Sequence, residues 1–214
     1  MEQDVELKAG APLGEKIESV IERLPATQVT LTEILDRIGD DSLMFLTIFL
    51  SLIFLVPVSI PGVSTVFGSA ILLIGITRLF NRDLRLPGQI AHRTIPSEKL
   101  IVVLNRALVW FRRLERFSRP YRFHRITGEG TIGLLNKLSY ILAAVLLMVP
   151  FGFVPFSNTL PAVALIFLAV GGMQKDGGYI FIGHLSNLVT VIYFSALITG
   201  GGLTILEALR FITG

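Results

Sequence analysis

Two dense apolar runs, each broken near its middle by a pair of prolines, decide what this chain can fold into. The first is Leu43 to Phe80, interrupted by Pro57-Val-Ser-Ile-Pro61-Gly62; the second is Leu138 to Met173, interrupted by Pro150-Phe-Gly-Phe-Val-Pro155. A soluble core is built from apolar stripes on amphipathic elements, whereas a helix apolar all round must be buried or face lipid. Met44–Val56 has 13 residues and as a helix is about 20 Å long, short of a hydrocarbon core of about 30 Å. Val63–Phe80 has 18 residues and just reaches across. In the second run Pro161 lies inside the helix that follows the break. A third run, Tyr179–Thr199, matches a plain spanning helix, and Gly200-Gly201-Gly202 is expected to stop it. The expected fold class is all-α: a polytopic helical membrane protein with two Pro/Gly-broken segments, either re-entrant or fully spanning.

Composition agrees, with 52% hydrophobic and 16% charged residues, against about 25% charged in soluble domains, and a mean hydropathy of +0.69. Charge is segregated. Met1 to Asp41 carries four Lys/Arg and ten Asp/Glu, a net −6; Arg78 to Lys137 carries thirteen and four, a net +9; the remainder holds two of each. With no cysteine there is no disulfide framework and no thiolate chemistry. The acidic head lacks the basic start and apolar stretch of a cleaved signal. Instead, Leu13, Ile17, Val20, Ile21 and Leu24 share one face of a helix that Pro25 ends, and a second short helix is expected from Thr30, whose spacing to Glu33 fits a capping box, to Gly39. Both read as surface helices leaning on the membrane part.

The two broken runs align at an offset of 94, which sets Pro61 over Pro155, Thr65 over Thr159 and Ala70 over Ala164. Repeated, interrupted membrane segments point to a transporter-like core in which backbone groups freed at the breaks face a cavity or substrate. Two ordinary helical hairpins with Pro-containing turns fit the same residues. On the first reading, Ser64 and Thr65 in one half and Ser157, Asn158 and Thr159 in the other, beside Pro61 and Pro155, open helices whose N-termini favour an anion. On the second they are helix caps.

Between the runs, Val103, Leu104, Ala107, Trp110, Phe111, Leu114 and Phe117 fall on one side of a helical wheel. Asn105, Arg106, Arg112, Arg113, Arg116 and Arg119 fall on the other. This predicts a helix over 101–118 lying in the membrane interface, with the arginines contacting anionic lipid headgroups. Positive charge concentrated there marks residues 81–137 as cytoplasmic and makes nucleic acid the weaker partner.

Catalytic and cofactor patterns are sparse. Gly128-Glu-Gly130-Thr-Ile-Gly133 has dinucleotide-motif spacing, but no strand precedes it and no acidic residue follows about 20 positions on, so it reads as a flexible lead into the second run. His92, His124 and His184 are not spaced as metal ligands. The membrane hydroxyls have no adjacent base, which leaves helix–helix hydrogen bonding as the plainer reading. No cofactor, metal or enzymatic activity is expected. Asp176 beside Lys175, and His184 with Asn187 on one helix face, are polar where polarity is costly, which marks them as candidate binding residues; a solvated turn and interhelical bonding are the plainer alternatives.

The order of several segments resembles the exopolysaccharide-synthesis ExoD family of bacterial inner-membrane proteins. Those segments are Leu35-Asp-Arg-Ile-Gly39-Asp40, Pro57 to Thr65, Leu86-Pro87 with Arg93-Thr-Ile, Leu114-Glu115-Arg116-Phe-Ser-Arg119-Pro120 and Lys175-Asp176-Gly177. Arg85 and Tyr121 stand where the family commonly has Trp and Arg. The resemblance implies a role in making or exporting surface polysaccharide, with no defined reaction attached. The combined expectation is one membrane domain: acidic helices in 1–42, broken runs in 43–80 and 138–175, a basic cytoplasmic loop in 81–137, and a last spanning helix with its tail in 176–214. It would bind or transport a small or lipid-linked anionic substrate at the paired breaks, or alternatively hold polysaccharide-synthesis proteins at the membrane as a scaffold. A homo-oligomer is a further candidate assembly.

Overall fold

A computed structural model of the chain describes residues 13–22, 28–30, 42–55, 62–80, 94–96, 98, 101, 105, 108–109, 112, 124–128, 130–149 and 154–213. Its body is helical. Helix α1 spans Leu13–Glu22, α2 Ser42–Leu52, α3 Val63–Leu79, α4 Thr131–Met148, α5 Thr159–Gln174 and α6 Gly177–Thr213. Single 3-10 turns follow α2 at Ile53–Leu55 and precede α4 at His124–Thr127. An element not expected from the sequence is a small antiparallel ladder of β1, Gln28–Thr30, with β2, Thr94–Pro96, in the register Val29 opposite Ile95. Thr30, expected to open a helix, is the last residue of β1; the rest of that helix lies outside the described residues.

Each broken run is a helical hairpin. The starts of α2, α4 and α6 and the ends of α3 and α5 gather around one cavity at one end of the bundle. The residues that flank the breaks lie at the opposite end, where Thr159 at the start of α5 bonds the Phe54 carbonyl just past α2. Both runs therefore return to the end they started from. At this tip end Gly62 and Phe156, each following a proline, hold left-handed backbones with φ of 85° and 63°. Pro161 falls in the first turn of α5, where its missing N–H has no intrahelical partner to lose.

Helix α5 is the hub. It packs against α2, α4 and α6, while α3 packs on α4. Buried residues cover most of its circumference: Ala162, Ala164, Leu165, Ile166, Leu168, Ala169 and Val170; the stripe of Val163 and Phe167 is half-buried. On one side it meets Met44, Phe45 and Ile48 of α2 and Tyr179 of α6; Ile21 of α1 and Leu108 of the loop pack on the outside of this cluster. On the other it meets Ile71 and Ile74 of α3 and Tyr140, Ala143, Ala144 and Leu147 of α4. Glycines let the helices approach closely: a Cβ at Gly75 would stand 2.9 Å from the Tyr140 ring, and one at Gly183 2.6 Å from Leu168 Cγ.

Three expectations are corrected here. Gly200-Gly201-Gly202 does not stop the last helix, which runs as α6 to Thr213. Each glycine costs about 1 kcal/mol relative to Ala in a helix, and the Leu-Thr-Ile-Leu-Glu-Ala-Leu that follows is rich in helix formers. The second run's first helix begins at Thr131 rather than Leu138, because Asn136 and Lys137 are polar yet helical. The glycines before it form a tight start rather than a flexible lead: Gly130 has φ 78°, and a Cβ on Gly133 would meet the Gly128 carbonyl at 3.0 Å.

Among the described residues two helical segments are long and apolar enough to cross a membrane, Thr131–Met148 and Gly177–Gly201. The other apolar helices, Ser42–Leu55, Val63–Leu79 and Thr159–Gln174, are shorter.

Candidate functional site

The residues singled out in the sequence divide between the two ends of the bundle and the seam joining them. At the tip end, Thr159 Oγ1 donates to the Phe54 carbonyl at 2.9 Å, and buried Ser157 Oγ donates to the Val154 carbonyl at 2.8 Å. Asn158 precedes α5 without capping it, and its Oδ1 is buried with no partner. Pro155 is exposed, and its carbonyl accepts from the Tyr193 hydroxyl at 2.8 Å. Ser64 is buried in the first turn of α3, while Thr65 is exposed. The hydroxyls of the two halves are thus used differently, and Thr159 satisfies a backbone carbonyl rather than meeting Thr65. Pro61 lies outside the described residues.

The seam between α4 and α6 is polar along its length. His184 Nε2 lies 2.8 Å from Asn136 Oδ1, so the ring carries its proton there. Asn136 Nδ2 in turn donates to the Ile126 carbonyl at 2.8 Å. Further along, Asn187 Nδ2 donates to the carbonyl and to Oγ of Ser139, each at 2.8 Å, and Asn187 Oδ1 is buried without a partner. His184 and Asn187 therefore share a face, as their spacing requires, and that face is turned to α4.

Asp176 is 1% exposed. Its Oδ1 accepts the Gly178 N–H at 2.8 Å, the geometry of an N-cap on α6. Lys175 before it takes a left-handed backbone, φ 52°, and ends α5. Lys175 is exposed, while Asp176 is buried as the cap of α6. Of the basic face, Arg112 is exposed and pairs with Glu18 of α1; Arg106, Arg113, Arg116 and Arg119 lie outside the described residues.

The feature sequence reasoning missed is the cavity at the loop end. It has a volume of about 150 Å³ and is lined by Arg78 from the last turn of α3 and by Asn136, Lys137 and Tyr140 from α4. The Tyr140 hydroxyl is hydrogen-bonded to Thr47 Oγ1 of α2. Arg78 and Lys137 border the two apolar runs in sequence, and that was the available signal: each is the cation nearest the loop on its own run.

The family model described as "Exopolysaccharide synthesis, ExoD" matches residues 13–196. The chain belongs to the ExoD family. Protein ExoD of Rhizobium meliloti is 38% identical over 185 residues, covering 86% of this chain and 77% of the relative. An uncharacterized Synechocystis protein is 31% identical over 192 residues, covering 85% and 86%. No solved structure matches. The family match spans both hairpins and α6 up to the level of Ser195 and Ala196, so the hub and the cavity are family territory.

Proposed function

We propose that this protein is an integral inner-membrane component of exopolysaccharide synthesis that works without catalysing a reaction, by binding a small or lipid-linked anionic substrate in its helical bundle. One observation carries the membrane part: the bundle is apolar outside as well as in its core, and polar side chains of its helices are turned inward. Leu135, Leu138, Leu142 and Val145 of α4 and Phe181, Leu185, Leu188 and Ile192 of α6 are exposed, while Thr47, Ser51, Ser139, Asn187 and Thr190 are buried. Water would penalise that outer surface, whereas lipid accepts it and rewards the internal hydrogen bonds. Three of the four hairpin helices, α3, α4 and α5, are about 24–27 Å long at 1.5 Å per residue, and α2 is about 17 Å, which suits deep re-entry or a thin crossing beside α6. The left-handed residues Gly62 and Phe156, separated by the same 94 positions as Pro61 and Pro155, support descent of the hairpins from one duplicated unit.

Alkaline carbonate extraction of membranes from cells producing the chain tests the first half, with retention in the pellet expected and release to the supernatant overturning it. Leu188→Lys should then impair insertion, since Lys at a helix centre costs about 2.5–3.5 kcal/mol. The second half is tested in a bacterium deleted for its own family member, where the chain should restore surface polysaccharide.

A further inference from the structure

We propose that the acidic head of the chain is a latch on the basic loop, held by Glu18 on Arg112 and released when anionic lipid headgroups take the arginine. The proposal rests on the reading of the protein as membrane-embedded and adds a lipid-sensitive contact at the loop end of the bundle. Head and loop meet at three points. Glu18 of α1 pairs with Arg112. Strand β1 of the head lies antiparallel to β2 of the loop. Ile21 of α1 and Leu108 of the loop lean on the same cluster of α2, α5 and α6.

Residue spacing explains the pairing. On α1, Glu15 and Glu22 are exposed on either side of Glu18 at helical spacing, so three carboxylates share one face, while Ile21 packs on the bundle. On the loop, Ile101, Asn105, Leu108, Val109 and Arg112 are all helical. Ile101 and Leu108, seven apart, are half-buried; Asn105 and Arg112, also seven apart, are exposed. A helix repeats its faces nearly every seven residues, so packing Leu108 on the bundle carries Arg112 outward to α1. The pair follows the sign of whole segments, since Met1–Asp41 nets −6 and Arg78–Lys137 nets +9.

None of the three ties is strong. The Arg112 and Glu18 side chains are 62% and 41% exposed, and a pair so open to solvent holds weakly. A two-strand ladder of three residues a side is marginal alone, and Ile21 and Leu108 are only half-buried. The cluster they lean on includes Met44 and Phe45 in the first turn of α2 and Tyr179 in the first turn of α6. On the membrane reading those starts are where the helices emerge from lipid, which sets Arg112 near the headgroups. An arginine beside an anionic surface gains attraction of the same order as an exposed ion pair, so lipid composition decides between them. The same surface repels the acidic face of α1, and with Glu18 displaced the short ladder opens as well.

The full-length chain, free of cysteine, is given Val29→Cys and Ile95→Cys, which face each other across the ladder. It is placed in nanodiscs of neutral phosphatidylcholine or of equal parts phosphatidylcholine and phosphatidylglycerol, and the rate of disulfide formation with the uncharged oxidant diamide reports the docked head. That rate should be at least about fivefold slower in the anionic discs; equal rates overturn release by lipid. In neutral discs Glu18→Gln and Arg112→Gln should each slow the reaction by at least about twofold, and the exchange of Glu18→Arg with Arg112→Glu should recover it. No slowing in either single variant, or no recovery in the exchange, overturns the pair as the latch. The unaltered chain supplies a second reading: a glutamate-specific protease should cut after Glu18 or Glu22 at least about fivefold faster in the anionic discs. Equal cutting overturns the release even where the cysteine pair disturbs the ladder. A chain that carbonate washes from membranes sinks the membrane reading and the latch with it, whereas one that is retained yet crosslinks equally in both discs sinks the latch alone.

Discussion

Thr159→Val separates a structural from a ligand-binding role at the bundle tip. The Thr159 hydroxyl donates at 2.9 Å to the Phe54 carbonyl, which belongs to the 3-10 turn where α2 breaks off and where helical carbonyls lose their partners. Valine keeps the side-chain shape and removes the donor. A carbonyl left unsatisfied in a buried setting costs about 1–3 kcal/mol, and 1 kcal/mol moves the melting midpoint of a chain this size by about 2–4 °C. The expected drop is therefore roughly 2–12 °C, read by thermal denaturation of the detergent-purified protein at one scan rate. Thr65→Val is the matched control. Thr65 is exposed, so its midpoint should move by no more than about 2 °C, the range of about ±0.5 kcal/mol typical of surface changes. Equal midpoints for the two variants would refute the claim that Thr159 closes the hairpin.

Three further outcomes follow from the same geometry. A Cβ at Gly171 would lie 2.8 Å from the Ile180 backbone N and 3.0 Å from the Asp176 carbonyl, whereas one at Gly200 meets nothing within 4 Å; Gly171→Ala should cost about 1–3 kcal/mol and Gly200→Ala should gain up to about 1 kcal/mol, compared as folded yield and melting midpoint. Asn187→Leu removes two buried hydrogen bonds donated to Ser139 along with an Oδ1 that has no partner, so stability should fall by about 1–3 kcal/mol and polysaccharide output per folded protein should fall too; unaltered output would leave the seam a packing feature. Single cysteines at Ser97 and Ser118 should resist an impermeant thiol reagent added to intact cells and react after lysis, and equal labelling in both would reverse the proposed cytoplasmic side of the loop.

How far the sequence discloses this architecture depends on whether the signal is local. Hydropathy and proline placement locate α2, α3 and α5 to within a few residues, because a helix apolar on every face leaves a contiguous apolar mark. Pro25 and the period of Leu13, Ile17 and Ile21 do the same for α1. The start of α4 is hidden, since Asn136 and Lys137 interrupt hydropathy without interrupting the helix. Gly200 to Gly202 mislead in the opposite sense, because a helix tolerates glycine where its neighbours favour it and nothing presses on the backbone. Partner choice has no local mark at all. That α2 packs on α5 and α3 on α4 is decided by complementary surfaces, and the cavity inherits this: Arg78 and Lys137 are far apart in sequence and line one cavity only once α3 lies on α4. Asp176 was visible as a costly polar residue, but its role as a cap depends on the left-handed Lys175 before it.

The hub position of α5 has a consequence for how the protein is made. A helix buried on most of its faces cannot rest stably until its surroundings exist, whichever solvent those surroundings meet. Two of its neighbours, α2 and α4, precede it on the chain, and the third, α6, follows. During synthesis the first hairpin therefore waits with the α2 face that α5 will cover unoccupied, and α5 enters a slot that only α6 completes. Chains cut before Gly177 should consequently be recognised by quality-control proteases as unfinished, although most of the molecule's apolar residues are already present.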